Sequence, residues 1–201
     1  MFLYQDAQTD DKLLTQRVVD SARQHGATLL CPTKFLTAER CDEGYIVTVA
    51  ENDEITTLKC RRLVNAAGPW VNRVAETIDP KPPTIDVDLV KGTHIEFSEQ
   101  LSESCFYLEA QQDHRAVFVL PHKGGTLLGT TEILFDGNPD GVSPSSEEVD
   151  YLLEIVRYQF PHFNHHPINA WAGLRVLPSN DKSPFNRSRE VQFAEGDNYL
   201  A

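Results

Sequence analysis

The sequence of 201 residues lacks every short motif that would announce its chemistry by itself. It has no G-x-G-x-x-G, no G-x-x-x-x-G-K-[ST], no H-E-x-x-H and no G-x-S-x-G. A dinucleotide turn, a phosphate loop, a zincin helix and a hydrolase nucleophile elbow are therefore all missing. Positive charge is also scarce: 18 Lys and Arg stand against 30 Asp and Glu, for a net charge of −12. Phosphate-backbone binding needs a basic face, so no nucleic acid partner is expected. No apolar run approaches the roughly 20 residues of a membrane span. The start, Met1 to Asp6, has neither the basic flank nor the apolar core of a secretory signal. Cysteines number four (Cys31, Cys41, Cys60 and Cys105), with no C-x-x-C pair and no metal-ligand spacing to histidine. They read as reduced, mostly buried thiols of a cytosolic protein, and no metal site is expected. His162, His165 and His166 read as a solvated loop, and His122-Lys123-Gly124-Gly125 as a hairpin turn.

What is present is the composition of a folded protein, 40% hydrophobic and 24% charged, with a length suited to one domain or two small ones. Thr9-Asp10-Asp11 supplies a helix cap, Leu13, Leu14, Val18, Val19 and Ala22 share one helical face, and Gly26 ends the helix. Ala27–Cys31, Thr33–Glu39, Tyr45–Ala50 and Ile55–Leu63 read as strands, the last ones an antiparallel meander. Leu63 to Gly68 runs as a short apolar strand into a Gly-Pro turn and a helix carrying Trp70, Val71, Val74 and Ile78. Residues 79–84 form a stiff linker. Beyond it, strands are expected at Ile85–Val90, Thr93–Phe97, Cys105–Leu108, Ala116–Leu120, Thr126–Thr130 and Ala170–Leu177. Ser145 and Glu148 are spaced as a capping box for a helix over 145–160. The chain from Pro178 onward reads as polar and irregular.

A series of words, in order, resembles the FAD-dependent glycerol-3-phosphate dehydrogenases, within the D-amino-acid-oxidase-like flavoproteins. They are Tyr4-Gln-Asp with Asp10-Asp11-Lys-Leu-Leu, Asn65-Ala-Ala-Gly-Pro-Trp-Val, Val90-Lys-Gly-Thr-His-Ile, Val119-Leu-Pro, Leu128-Gly-Thr-Thr-Glu, Asp150-Tyr-Leu-Leu and Trp171-Ala-Gly-Leu-Arg-Val-Leu. The resemblance implies an internal portion of a longer flavoprotein, without a complete Rossmann fold. Its fold class is expected to be α+β, an antiparallel substrate-binding sheet with a helix on one face plus a partial FAD-domain segment of a helix and a small β-meander. The expected divisions are 1–78 for the FAD-domain segment, 85–177 for the substrate sheet and 178–201 for a polar return segment.

The same resemblance supplies the candidate site. Arg175 is expected to bind the substrate phosphate, which suits a guanidinium's planar paired donors. Arg189 aligns with a second phosphate-binding arginine, with Arg187 its near neighbour. His94 is expected beside the substrate as a base or hydroxyl partner, a role open to an imidazole near neutrality. Lys91 is expected at the substrate or near the flavin ring. Ala66, Ala67, Gly68 and Trp70, with the strand carrying Phe35, are expected against FAD, where small side chains let backbone approach a cofactor. Thr130 and Thr131 offer hydroxyls whose ordinary role in strands is structural. Val176 stands where relatives commonly have proline, and Glu132 where they have aspartate.

The implied reaction is oxidation of sn-glycerol 3-phosphate to dihydroxyacetone phosphate, with FAD held by the full-length parent rather than by this portion alone. A quinone is the implied electron acceptor, and the parent a cytoplasmic enzyme peripheral on the inner membrane. Two alternatives stand beside this reading. One is another oxidase of the superfamily, acting on amino or hydroxy acids. The other is a small-anion binding module without redox chemistry.

Overall fold

The computed structural model describes residue 5, residues 7–179 and residues 190–201. Helix α1 spans Asp11–Gln24, with the Asp10 carboxylate accepting from the Leu13 N–H at 2.9 Å. That bond satisfies one of the open donors of a helix start. Gly26 then turns the chain at φ +92°. The apolar stripe expected on α1 is present but little covered among the described residues: Leu13, Leu14 and Val18 are each more than half exposed. Ala27–Cys31 is not a strand, contrary to its sequence pattern. A short apolar strand needs ladder partners, and among the described residues none lies beside it.

The first sheet has the order β3-β2-β1-β5. Its strands are β1 (Lys34–Cys41), β2 (Gly44–Glu51), β3 (Glu54–Cys60) and β5 (Ile78–Asp79). Strands β1 to β3 are the expected meander, and β5 joins β1 in parallel. Ala38, Tyr45, Val47, Val49 and Ile78 form its core with Tyr199, and Phe35 packs on that cluster. A three-stranded sheet joins β4 (Leu63–Val64) to β12 (Glu195–Gly196) and β13 (Tyr199–Leu200), with β13 parallel to β4. The segment after Pro178 is thus not wholly irregular. Its last residues return to β4, and Tyr199 packs into the core of the first sheet. Between β4 and β5, the 3-10 turn Gly68–Trp70 leads directly into α2 (Val71–Glu76).

The large sheet runs β10-β6-β9-β8-β7, and β11 pairs the other edge of β6. Its members are β6 (Val87–Phe97), β7 (Phe106–Glu109), β8 (Ala116–His122), β9 (Gly125–Gly129), β10 (Ile133–Phe135) and β11 (Asn169–Pro178). Every pairing in it is antiparallel. Two strands expected from the sequence, on either side of Lys91-Gly92, are one continuous β6. Lys123 and Gly124, both at positive φ, make the hairpin between β8 and β9.

Helix α3 (Ser146–Gln159) opens with the predicted capping box: Ser145 accepts from the Glu148 N–H and the Glu148 carboxylate from the Ser145 N–H. Leu152, Leu153, Ile155 and Val156 are buried against Ile95, Phe97, Val117, Val119 and Leu128. At roughly 1.5–3 kcal/mol for each side chain fully buried, this contact anchors the helix to the sheet. Because side chains alternate along a strand, the β6 residues packed in this cluster, Ile95 and Phe97, are odd-numbered, and the even-numbered ones face away from α3.

The cysteines are free, but the expectation that most are buried fails: Cys31 and Cys105 are exposed, Cys41 and Cys60 half-buried. Burial raises the Cys60 thiol pKa above its ordinary value. No helix among the described residues is long and apolar enough to cross a membrane. None of their His, Cys, Asp and Glu side chains gather into a group of three that could hold a metal.

Candidate active site

The sheet face turned away from α3 carries two of the candidate residues, His94 and Arg175. Residues directly opposite in antiparallel strands point to the same face. On β6 and β11 the pairs are His94 with Trp171, Gly92 with Gly173, and Val90 with Arg175. His94 and Arg175 therefore share one face, the one that α3 leaves uncovered.

The His94 ring is held on both sides. It stacks on Trp171 with centroids 4.3 Å apart and planes 12° from parallel. Across β9 its partner is Gly129, where an added Cβ would overlap the imidazole. Further along the same row Phe118 pairs Gly129, and Phe118 meets Tyr107 edge to face. Burial pushes the His94 pKa down from 6.5 to about 4, and the charge of Arg175 pushes the same way against smaller opposing effects of Asp11 and Glu96. At neutral pH the ring is uncharged. Its Nδ1 is buried without a hydrogen-bond partner among the described residues.

Arg175 lies on β11, about one-third exposed, with Nη1 donating to Glu132 Oε1 at 2.9 Å. Beyond His94 on β6, the carboxylate of Glu96 accepts from Asn169 Nδ2 at 3.1 Å and has His122 Nε2 3.7 Å away.

Lys91 is odd-numbered on β6 and falls on the other face. Its Nζ contacts Glu148 Oε2 at 2.7 Å, in a pair where Glu148 is almost wholly buried. Burial raises the Glu148 pKa, but Lys91, the Ser145 N–H and the Thr131 hydroxyl outweigh it and hold it below the ordinary carboxylate value. Thr131 donates to Glu148 at 2.7 Å and accepts from the Thr93 N–H at 2.9 Å. Lys91 and the two threonines thus tie α3 to the sheet, and Lys91 is not brought together with His94.

The 3-10 turn Gly68–Trp70, which follows Ala66 and Ala67, packs against β11. Asn65 shapes it: the side-chain carbonyl accepts from the Ala67 N–H, while Nδ2 donates to the Val71 carbonyl and the Tyr199 hydroxyl. Gly68 adopts φ +52°, a conformation that glycine takes without a Cβ penalty. It lines a cavity of about 300 Å³ together with Val71, Val87, Val176, Leu177 and Val191. Trp70 points elsewhere and donates its indole N–H to Asp140 at 3.0 Å. Phe35 sits apart, on the small sheet's core. Arg189 and its neighbour Arg187 lie outside the described residues.

Sequence reasoning gave no role to Trp171, Gly129 or Glu132. The first two become visible only when the strand register aligns them with His94. Glu132 was noticed as a departure, but nothing local shows that it meets an arginine 43 positions away.

Comparison with known proteins agrees with the resemblance read in the sequence. The model of the FAD dependent oxidoreductase (DAO) family matches residues 1–200. D-erythritol 1-phosphate dehydrogenase of Brucella abortus is 33% identical, over 96% of this chain and 39% of the relative. Aerobic glycerol-3-phosphate dehydrogenase of Staphylococcus aureus is 30% identical, over 98% of this chain and 37% of the relative. The chain thus spans well under half the length of these relatives. Among solved structures, glycerol-3-phosphate dehydrogenase of Bacillus halodurans complexed with FAD superimposes with a TM-score of 0.81 at 26% identity, covering 96% of this chain and 38% of that one. A family match over almost the whole sequence, on a mixed α/β fold shared with an FAD-bound protein, places this chain in the FAD dependent oxidoreductase family.

Proposed function

We propose that this chain is the substrate-facing portion of a flavoenzyme that oxidises a polyol phosphate, with sn-glycerol 3-phosphate as substrate and dihydroxyacetone phosphate as product. The observation that carries the reading is the shared face of His94 and Arg175, an uncharged imidazole and a partly exposed guanidinium on the side of the sheet opposite α3.

The residues present fit a flavin. Ala66, Ala67 and Gly68 bring nearly bare backbone to the turn against β11, and an added Cβ at Gly68 would meet open space. The neighbouring cavity has largely apolar walls. When bound, FAD supplies the acceptor for the hydride that leaves the substrate carbon. The chain's own residues bind, orient and move the proton. Arg175 takes the phosphate, for which its donor geometry is suited. His94, neutral and fixed between Trp171 and Gly129, accepts the hydroxyl proton as the alcohol becomes a ketone. Arg189 is a second phosphate contact and Phe35 contributes on the flavin side, whereas Lys91, paired with Glu148 on the covered face, does not reach the substrate, and Trp70 is turned to Asp140. A quinone acceptor and peripheral contact of the parent with a membrane complete the proposal.

A four-carbon polyol phosphate is the second reading. The relative from Brucella abortus is named for such a substrate. Glu96, with Asn169 and His122, offers a hydroxyl-binding carboxylate one row beyond His94 on the same face.

The test is anaerobic bleaching of the flavin in the flavin-loaded protein carrying this chain. Glycerol 3-phosphate, erythritol 1-phosphate and a panel of amino and hydroxy acids would be compared. Bleaching by a polyol phosphate, with a KM raised at least about tenfold in Arg175→Ala, is expected. Bleaching by amino or hydroxy acids alone would sink the proposal.

A further inference from the structure

A carboxylate beside an anion-binding arginine looks counterproductive, because it repels the ligand that the arginine is meant to attract. Glu132 is such a carboxylate. Its side chain is 9% exposed, and Oε1 receives Arg175 Nη1 at 2.9 Å. The residue is itself braced. Its backbone carbonyl accepts from Arg115 Nη1, Arg115 Nε lies 3.2 Å from Asp113, and Asp113 accepts from the Tyr151 hydroxyl of α3 at 2.9 Å. Burial raises the Tyr151 pKa, so that hydroxyl keeps its proton and remains a donor. Named contacts thus run without a break from the helix on one face to the guanidinium on the other.

Arg175 needs such a brace. It stands on β11, which among the described residues has a strand on one side only, and its side chain is long and rich in rotamers. A guanidinium carries five N–H donors. The Glu132 contact engages Nη1, and among the described residues no hydrogen bond holds Nη2 or Nε, whose donors can meet a ligand.

We propose that Glu132 is a positioning residue: it fixes the Arg175 guanidinium so that its remaining donors meet the substrate phosphate. This rests on the reading that Arg175 binds that phosphate. The gain from a fixed fork then outweighs the repulsion between Glu132 and the anion.

Two conservative variants separate position from charge. Glu132→Gln keeps the side-chain length and an accepting oxygen but removes the charge. Glu132→Asp keeps the charge but withdraws the oxygen by one methylene. The probes are glycerol 3-phosphate and inorganic phosphate, titrated by calorimetry and by the flavin absorbance change in the flavin-loaded protein; KM and kcat are read alongside. If Glu132 positions Arg175, Glu132→Asp weakens both ligands at least about tenfold and raises KM with little change in kcat. Glu132→Gln then binds as tightly as the parent or more tightly. The reverse order, with Glu132→Gln weak and Glu132→Asp normal, overturns the proposal. So does a fall in melting temperature with both affinities unchanged. Arg175→Ala is the control: if it leaves phosphate affinity intact, the functional reading itself fails. If it weakens binding while neither Glu132 variant does, only the role of Glu132 fails.

Discussion

The imidazole of His94 and the indole of Trp171 lie face to face, 4.3 Å between centroids and 12° from parallel, on paired positions of β6 and β11. The stack buries the imidazole, and burial is the largest cause of its lowered pKa. A polar ring is thereby kept uncharged at neutral pH.

Removing the indole should return the ring to water. In Trp171→Ala, the His94 pKa should climb from about 4 toward 6.5, while Trp171→Phe should hold it low. An NMR titration of the His94 ring protons reads this directly. An unchanged pKa in Trp171→Ala would show that other walls of the site, and not the indole, desolvate the ring.

The same shift makes stability depend on pH. The folded-state pKa of His94 is depressed below its unfolded value. Between about pH 4 and 6.5 the unfolded chain therefore binds more protons at this residue than the folded one. The contribution is fully present above 6.5 and is lost as pH falls toward 4. The shift of about 2.5 units corresponds to a loss of at most about 3 kcal/mol. Urea unfolding from pH 7 to pH 4 should show this slope, and His94→Gln should flatten it. An equal slope in the variant would refute the assignment to His94.

Lys91 and Glu148 make the opposite kind of site, a buried pair on the covered face. Lys91→Met leaves the Glu148 carboxylate with hydrogen bonds but no counter-charge. It should cost roughly 3 kcal/mol of folding stability. Adding Glu148→Gln should recover part of the loss, since the uncompensated charge is then gone. KM for the polyol phosphate should stay where it was in a flavin-loaded Lys91→Met protein. A raised KM without a change in stability would return Lys91 to the substrate.

Much of the local structure is readable in the chain because the signals are local. The Asp10 cap, the Ser145–Glu148 capping box, the β8–β9 hairpin and the alternation of β6 each depend on neighbours a few residues apart. Arg175 and His94 came from their motif words, but their common face depends on the register between β6 and β11, a relation across some eighty residues of sequence. Lys91 shows the same limit. It is three residues from His94 in one motif, yet a strand turns residues of odd and even number to opposite faces. Ala27–Cys31 failed as a strand for want of a partner, and β12 and β13 were missed because two-residue strands carry no periodicity.

Gly129 sets a further condition on this site. A methyl group there would overlap the His94 ring, so positions 94 and 129 cannot drift independently. Any lineage that keeps the imidazole must keep the glycine. One that trades the imidazole for a smaller side chain frees position 129 to vary, and the pair should appear in descendants as a correlated exchange.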